Sequence, residues 1–306
     1  MRSTLNNHPC FSATAAKSIG RMHLAIAPDC NIQCNYCNRR YSCVNESRPG
    51  VTAAILKPAA VHNYVTEQLR LEPRIRIIGI AGPGDPLASA ATTIAVLRQV
   101  KSVFPHLSLC LSTNGLTLSD HLAELNEIGL EYLTITINAI DPEIGRLIYS
   151  RVSYKGEIFR ERAAAQLLWS RQLMALEQLR KFPITVKINT VVIPNINDNH
   201  VETIAREMTR YKIDVMNCLP MLPVADTPFA DLKEIPASEM KKIRQKTEIW
   251  LPQIRHCRRC RADASGLLHE SCITKVNRIS TFCKSQPHNS KTLDKRIQNR
   301  LDAKAI

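Results

Sequence analysis

The 306 residues are 44% hydrophobic and 22% charged, which excludes both a disordered acidic polymer and a short disulfide-stapled module. Forty-one Lys and Arg against 27 Asp and Glu leave a formal charge of +14, and there are 11 cysteines, so a basic surface and a set of thiols both need a purpose. The N-terminus has no signal-peptide apolar core and no run reaches about 18 apolar residues, so the odd number of cysteines is expected to stay reduced in a cytoplasm, away from membranes.

In chain order, an N-terminal arm (residues 1–20) carrying Cys10 precedes six segments that read as β-strands, at 21–28, 74–80, 107–113, 132–139, 184–192 and 213–219. Helical patterns at 53–69, 86–103, 119–127, 161–181 and 199–209 separate them. This repeated βα spacing predicts an α/β fold, a partial (β/α)6 barrel of the TIM type over 21–222. Period-two alternation puts His23, Ala25 and Ala27 on one face of the first strand. Ser108, Cys110 and Ser112 share a face of the third, and Thr134, Thr136 and Asn138 a face of the fourth. Leu107, Leu109, Leu111, Ile135 and Ile137 point the other way, under helices. The small and polar faces then line a lumen too open for a filled, closed barrel. From Pro220 onward the prolines, a helical patch at 238–249, a second CxxC and a basic tail at 284–304 read as a C-terminal extension (223–306) covering the barrel.

The densest chemical signal follows the first strand: Cys30-Asn31-Ile32-Gln33-Cys34-Asn35-Tyr36-Cys37, a CxxxCxxC loop. Three thiolates can hold three corners of a cubane iron–sulfur cluster and leave the fourth iron open, whereas structural zinc takes a closed four-ligand set. Gly82-Pro83-Gly84-Asp85-Pro86, after the second strand, permits close backbone approach to a ligand. Ser112, Thr113 and Asn114 end the third strand, Asn138 ends the fourth, and Lys187 and Asn189 lie on the fifth, at the rim where barrels bind ligands. Each has an ordinary alternative as a turn cap or packing residue. Glu67 and Arg255 read as surface charge, and Lys187 alone of the three is kept as a pocket residue. His23 by itself is an ordinary core histidine, but with Cys43 and Cys110 it can complete a three-ligand iron site. Cys257 and Cys260 sit in an Arg-rich loop, which favours ligation over a redox dithiol, and Cys10 is a third ligand for them if the extension folds over the arm. Cys218, Cys272 and Cys283 are left over and are not expected to bind iron.

On the CxxxCxxC loop the sequence resembles the radical S-adenosylmethionine superfamily. The resemblance implies that Cys30, Cys34 and Cys37 carry a catalytic [4Fe-4S] cluster whose open iron binds S-adenosylmethionine. It implies that reduction cleaves the sulfonium to methionine and a 5′-deoxyadenosyl radical. Gly82, Gly84 and Asp85 then belong to the cofactor pocket, with Ser112, Asn114, Asn138, Lys187 and Asn189 as further contacts. Tyr36 corresponds to an aromatic position beside adenine, its alternative being to anchor the loop by burial.

The wider pattern runs from His8-Pro9-Cys10-Phe11 through the cysteine loop and Cys43 to Cys257-Arg258-Arg259-Cys260-Arg261-Ala262-Asp263-Ala264. It resembles the NifB family, which prepares the iron–sulfur core of the nitrogenase cofactor. That implies three [4Fe-4S] clusters: the radical one and two accessory substrate clusters, one on His23, Cys43 and Cys110 and one on Cys10, Cys257 and Cys260. Fusion of the two, with an extra sulfur and a carbide from S-adenosylmethionine, gives an eight-iron precursor. The implied partners are an electron donor, an iron–sulfur cluster donor and a downstream cofactor carrier or scaffold protein. The short stretch after Cys260 resembles the stand-alone form without a carrier-like domain. The alternatives are a radical enzyme that modifies a peptide or small molecule with auxiliary clusters, and a cluster- or zinc-stabilised nucleic-acid-binding protein. The coupling of Cys10, His23, Cys43 and Cys110 to the terminal CxxC disfavours both.

Overall fold

The structure, a computed structural model, describes residues 5–45 and 47–268; the expected basic tail, Cys272 and Cys283 lie outside the described residues. Short 3-10 turns at Leu5–Asn7 and Ala15–Lys17 lead into β1 (Gly20–His23). Then follow β2 (Ile32–Cys34), α1 (Val61–Leu71), β3 (Ile75–Ile80), α2 (Ala90–Val103), β4 (Ser108–Thr113), α3 (Leu118–Ile128), β5 (Leu130–Thr136) and α4 (Pro142–Ile148). The chain continues through β6 (Tyr149–Tyr154), β7 (Glu157–Phe159), α5 (Glu161–Leu179), β8 (Thr185–Val192), α6 (Val201–Met208), β9 (Val215–Pro220), α7 (Ala237–Glu248) and β10 (Ser265–Gly266).

The main sheet has the order β10-β1-β3-β4-β5-β8-β9. Six of its strands pair in parallel, and β10 alone joins antiparallel, on β1. Each parallel strand lies beside the next one in the chain, with a helical crossover between, which gives a half-barrel. The alternation read from the sequence sets its faces. Leu107, Leu109, Leu111, Ile135 and Ile137 pack with Leu97, Leu122 and Leu176 of the helices in one large core, each such side chain contributing about 1.5–3 kcal/mol on burial. Cys110, Ser112 and Thr134 face the interior instead.

Three boundaries move by more than three residues. Regular pairing of β1 ends at His23 rather than residue 28, because the chain turns out of the sheet to form the cysteine loop; beyond His23, Leu24 N–H still donates to the Gly79 carbonyl at 2.8 Å and Ala27 bridges to Pro83. The helix expected from residue 53 begins at Val61, after a 3-10 turn opened by Pro58. The helix expected from residue 86 begins as a 3-10 turn, Pro86–Ser89, whose Leu87 N–H is capped by the Asp85 carboxylate at 2.9 Å.

A second, three-stranded antiparallel sheet, β2-β6-β7, was not expected. Lys155 and Gly156 form the two-residue loop between β6 and β7, with φ of 50° and 84°, the left-handed pair of a type I′ hairpin. Pairing of Gln33 with Arg151 and of Cys34 with Tyr149 puts this hairpin directly behind the cysteine loop.

The open side of the half-barrel is spanned by the chain after α7. Met216 N–H donates to the Pro252 carbonyl at 2.9 Å and Ile254 N–H to the Met216 carbonyl at 2.8 Å, which fastens one end to the edge strand β9. The other end is β10, paired with Arg21 and Met22 of the opposite edge strand β1. Both edges are thereby covered. Among the described residues no helix is long and apolar enough to cross a membrane.

Candidate functional site

Two cavities occupy the inside of the half-barrel. The first, about 420 Å³, is lined by Cys30, Cys34, Cys37 and Cys43 with Tyr36, Arg39, Gly84, Asp85, Ser112 and Asn114 among its other residues. Its loop is clamped by β6 and by Gln33 Nε2, which donates to the Cys37 carbonyl at 2.6 Å. Tyr36 is fully buried; its hydroxyl donates to Asn45 Oδ1 at 2.7 Å and accepts from Asn138 Nδ2 at 2.6 Å. Asn138 therefore stands behind Tyr36 and lines neither cavity, its own Oδ1 accepting from Val191 N–H at 2.8 Å. Asn114 steadies the loop through Nδ2 to Asn31 Oδ1 at 2.7 Å.

The glycine stretch passes tightly beneath the cysteine loop. Gly84 N–H donates to the Ala27 carbonyl at 2.6 Å and Asp85 N–H to the Asp29 carbonyl at 2.7 Å. A Cβ at Gly84 would stand 1.9 Å from the Asp29 carbonyl oxygen, so glycine is required by backbone approach. The Gly82 and Pro83 carbonyls accept from Ala27 N–H (3.3 Å) and Cys43 N–H (2.7 Å) respectively. Those two carbonyls thus serve the chain itself, and Gly82, at φ 138°, is not on the cavity wall. Asp85 is on the wall, yet its buried carboxylate accepts from Thr113 Oγ1 at 2.9 Å and Asn114 N–H at 2.5 Å as well as from Leu87. It fastens two strand ends together.

Burial pushes the Cys30 thiol up to about 12, and Cys34 and Cys43 well above the usual thiol range, with Arg39 opposing the shift at Cys30 and Cys34. Such thiols are poor nucleophiles near neutral pH. They become thiolates when a metal compensates the charge, so the set suits ligation rather than attack.

The second cavity, about 670 Å³, shares Asn45 and Ser112 with the first. Its wall carries His23 and Cys110 from the barrel and Cys10, Cys257 and Cys260 from the two ends of the described chain, together with Lys187 and Asn189. Cys43 lies on the side of the cysteine loop. Sheet register aligns His23, Gly79 and Cys110 in one row. Gly79 keeps the space between them open, since a Cβ there would stand 3.2 Å from His23 Cδ2 and 3.8 Å from Cys110 Cβ. His23 Nδ1 is 3.3 Å from the Arg261 carbonyl. Only an N–H can donate to a carbonyl, so Nδ1 carries the proton and Nε2 keeps a lone pair, the arrangement of metal-ligating histidines. Burial, with Arg21 next, brings His23 down to about 3, which keeps that lone pair free of a proton.

Arm and extension are tied together here. His256 Nε2–H donates to the Pro9 carbonyl at 2.9 Å, and the buried Arg21 reaches both the Gly266 carbonyl and, at 2.9 Å, Cys260 Sγ. Lys187 Nζ lies 5.1 Å from the Phe11 ring centroid, a cation–π contact. Ser112 Oγ, Asn217 Oδ1 and His8 Nε2 are buried without hydrogen-bond partners. Buried polar atoms are normally satisfied, so these point to an occupant. Soft thiol and imidazole donors that share their wall with Lys187, Arg258 and Arg259, with Arg21 behind Cys260, fit anionic iron–sulfur groups. Among the described residues no three His, Cys, Asp or Glu converge as ligands to a single ion do; a cubane spreads its ligands over separate irons.

Cys218 packs in the outer core with Sγ 3.9 Å from Thr247 Oγ1. Glu67 and Arg255 make surface ion pairs with Arg70 and Glu248. Five further residues of the site, His8, Arg21, Asn45, Gly79 and Asn217, carried no expected role, His8 standing only within the His8-Pro9-Cys10-Phe11 motif. Period two from His23 and from Cys110 through its neighbour strand would have flagged Arg21 and Gly79 as inward-facing.

A model of the Radical SAM superfamily matches residues 24–208. The chain is 44% identical over 270 residues to the FeMo cofactor biosynthesis protein NifB of Chlorobaculum tepidum, covering 88% of this chain and 64% of that protein. It is 39% identical over 306 residues to the protein of the same name from Bradyrhizobium diazoefficiens, covering 99% and 61%. The chain thus spans about three-fifths of the length of these relatives. The X-ray structure of the FeFe-hydrogenase maturase HydG from Carboxydothermus hydrogenoformans matches with a TM-score of 0.53 at 14% identity, over 76% of this chain and 52% of that one. That likeness is one of fold.

Proposed function

Since the chain belongs to the radical SAM superfamily and is homologous to the NifB proteins, we propose that it is a radical S-adenosylmethionine enzyme of nitrogenase cofactor assembly. It fuses two [4Fe-4S] substrate clusters, with an extra sulfur and a carbide carbon drawn from S-adenosylmethionine, into the eight-iron precursor. The observation that carries this reading is the ring of five further ligand-type residues, His23, Cys110, Cys10, Cys257 and Cys260, around a cavity that shares a wall with the cysteine loop. An enzyme acting on a peptide or small molecule needs no such ring in its substrate space.

Cys30, Cys34 and Cys37 would hold the resident cluster, with S-adenosylmethionine bound among Tyr36, Gly84, Ser112 and Asn114. When bound, this pair supplies one-electron cleavage of a sulfonium, a hydrogen-abstracting carbon radical and transferable methyl groups. The chain's own residues do the rest. Tyr36, Asn45 and Asn138 fix the loop, and Asp85 fixes the strand ends beside it. His23, Cys43 and Cys110 receive one substrate cluster, while Cys10, Cys257 and Cys260 receive the other; three ligands leave part of each cluster uncommitted, as fusion requires. The division of the first set between the two cavities supports a position at their shared wall. Arg21, Lys187, Arg258 and Arg259 offset the negative charge of the cargo, and the segment spanning the open side limits access of water. An electron donor, a cluster donor and a carrier or scaffold protein are the partners this activity requires.

Anaerobic reconstitution with iron and sulfide, followed by electron paramagnetic resonance and turnover with methyl-labelled S-adenosylmethionine, tests the reading. Three cluster populations, methionine, 5′-deoxyadenosine and label in an extractable iron–sulfur product are expected. A single cluster with label on a peptide or nucleic acid overturns it.

A further inference from the structure

His8 and His23 line the same cavity with opposite polarity. His23 has its proton on Nδ1, against the Arg261 carbonyl, and offers a lone pair at Nε2. At His8 the Cys10 N–H donates to Nδ1 at 3.0 Å. Nδ1 is therefore the acceptor, and Nε2 carries the proton. The ring cannot exchange these roles by turning over, because it is 2% exposed and lies edge-on to Phe11 (centroids 4.7 Å apart) and tilted against Tyr132 (4.6 Å). Its backbone carbonyl is also engaged, accepting from Phe11 N–H and Ser12 N–H at 3.0 Å each. His8 Nε2 has no hydrogen-bond partner, and the residue is on the wall of the cavity with Cys10, Cys110, Cys257 and Cys260. A fixed, buried N–H without a partner, on a residue that shares its cavity wall with four thiols, is a poor metal ligand and a good donor to an anion held by those thiols.

We infer that His8 is a binding residue for a substrate cluster, its Nε2–H donating to a cluster sulfide in the barrel cavity. This rests on the cofactor-assembly reading. His8 holds the cargo by its sulfur face while the ligand residues hold it by iron, so its position is set from two sides.

Two substitutions in the full chain separate the ends of the ring. His8→Asn keeps an acceptor near Nδ1 for the Cys10 N–H and removes the donor at Nε2; His8→Gln does the reverse. After anaerobic reconstitution with iron and sulfide, release of iron to a ferrous chelator and the midpoint potential of the accessory clusters are measured. In His8→Asn, accessory-cluster iron is expected to leave on the order of tenfold faster, as loss of one hydrogen bond to a charged group implies, and the potential to shift negative. His8→Gln is expected to stay close to wild type, and the radical cluster to be unchanged in both. An Asn variant that behaves as wild type, or a Gln variant that fails as Asn does, overturns the inference and leaves His8 a turn former. Labelled histidine in unsubstituted protein gives an answer independent of folding: beside the strongly coupled nitrogen of His23, the reduced accessory clusters should show a second, weakly coupled nitrogen, and its absence also overturns the inference. A wild-type protein that takes up the radical cluster alone overturns the cofactor-assembly reading itself, an outcome distinct from the others.

Discussion

The two cavities are assembled from the sequence in different ways. In the cysteine-loop cavity three thiols come from one short loop, clamped by β6 and the Gly82–Asp85 stretch, so its ligand set is a local structure. The barrel cavity draws His8 and Cys10 from the arm, His23 from β1, Cys110 from β4, Lys187 from β8 and Cys257 and Cys260 from the chain beyond α7. It exists only when the half-barrel has closed and the Arg21 contacts, which reach 239 and 245 residues along the chain, have formed. A local set can be loaded and lost independently, whereas a distributed set reports on the whole fold.

The largest effect expected is from Cys34→Ala. Removing a ligand exceeds the ~100-fold losses that supporting residues alone can cause, so reductive cleavage of S-adenosylmethionine should fall to background while accessory-cluster signals persist. Product analysis by chromatography checks the first part and electron paramagnetic resonance the second. Cys257→Ala should do the converse, abolishing the cluster shared with Cys10 and Cys260 while cleavage stays within about twofold of wild type. If cleavage collapsed with Cys257→Ala, the two cavities could not be treated as separable. Gly79→Ala is the intermediate case. The new Cβ enters the gap between His23 and Cys110, a local overpacking of about 1–3 kcal/mol, and cluster occupancy there should fall several-fold with the radical cluster untouched. Equal occupancy in that variant would mean that the row His23, Gly79 and Cys110 does not face a cluster.

The same contrast governs what could be read in the sequence. The six parallel strands were legible because their alternation is strong and helices intervene; Leu109 and Leu111 against Cys110 and Ser112 is a pattern with one solution. The β6–β7 hairpin was not, because its left-handed turn is Lys155-Gly156 rather than Asn-Gly, and β2 and β7 are three residues each. Pro58 carried the start of α1 and was passed over. Within the site, spacing alone disclosed the thiols of the loop. Gly82 and Asn138 have the composition of ligand contacts but stand behind the wall, where one turns the backbone and the other holds Tyr36. The role of His8 depends on tertiary partners, so no local pattern reveals it, while alternation turns Arg21 inward without disclosing its contacts to Gly266 and Cys260.

Tyr36→Phe is the smallest change and bears on the seam between the cavities. The hydroxyl ties Asn45 to Asn138, and Asn45, through its carbonyl, accepts from Asn189 Nδ2 at 3.2 Å on the barrel side. Phenylalanine keeps the ring but leaves two buried amide groups each short of a partner, at about 1–3 kcal/mol, which for a chain of this size lowers the thermal midpoint by roughly 2–8 °C. If Tyr36 serves by anchoring the loop, this loss of stability comes with an S-adenosylmethionine KM within about threefold of wild type and unchanged accessory clusters. A tenfold rise in KM without loss of stability would instead assign the hydroxyl to the cofactor. A fall in accessory-cluster occupancy would show that Asn45 transmits strain across the shared wall, and the two cavities would then have to be described as one site.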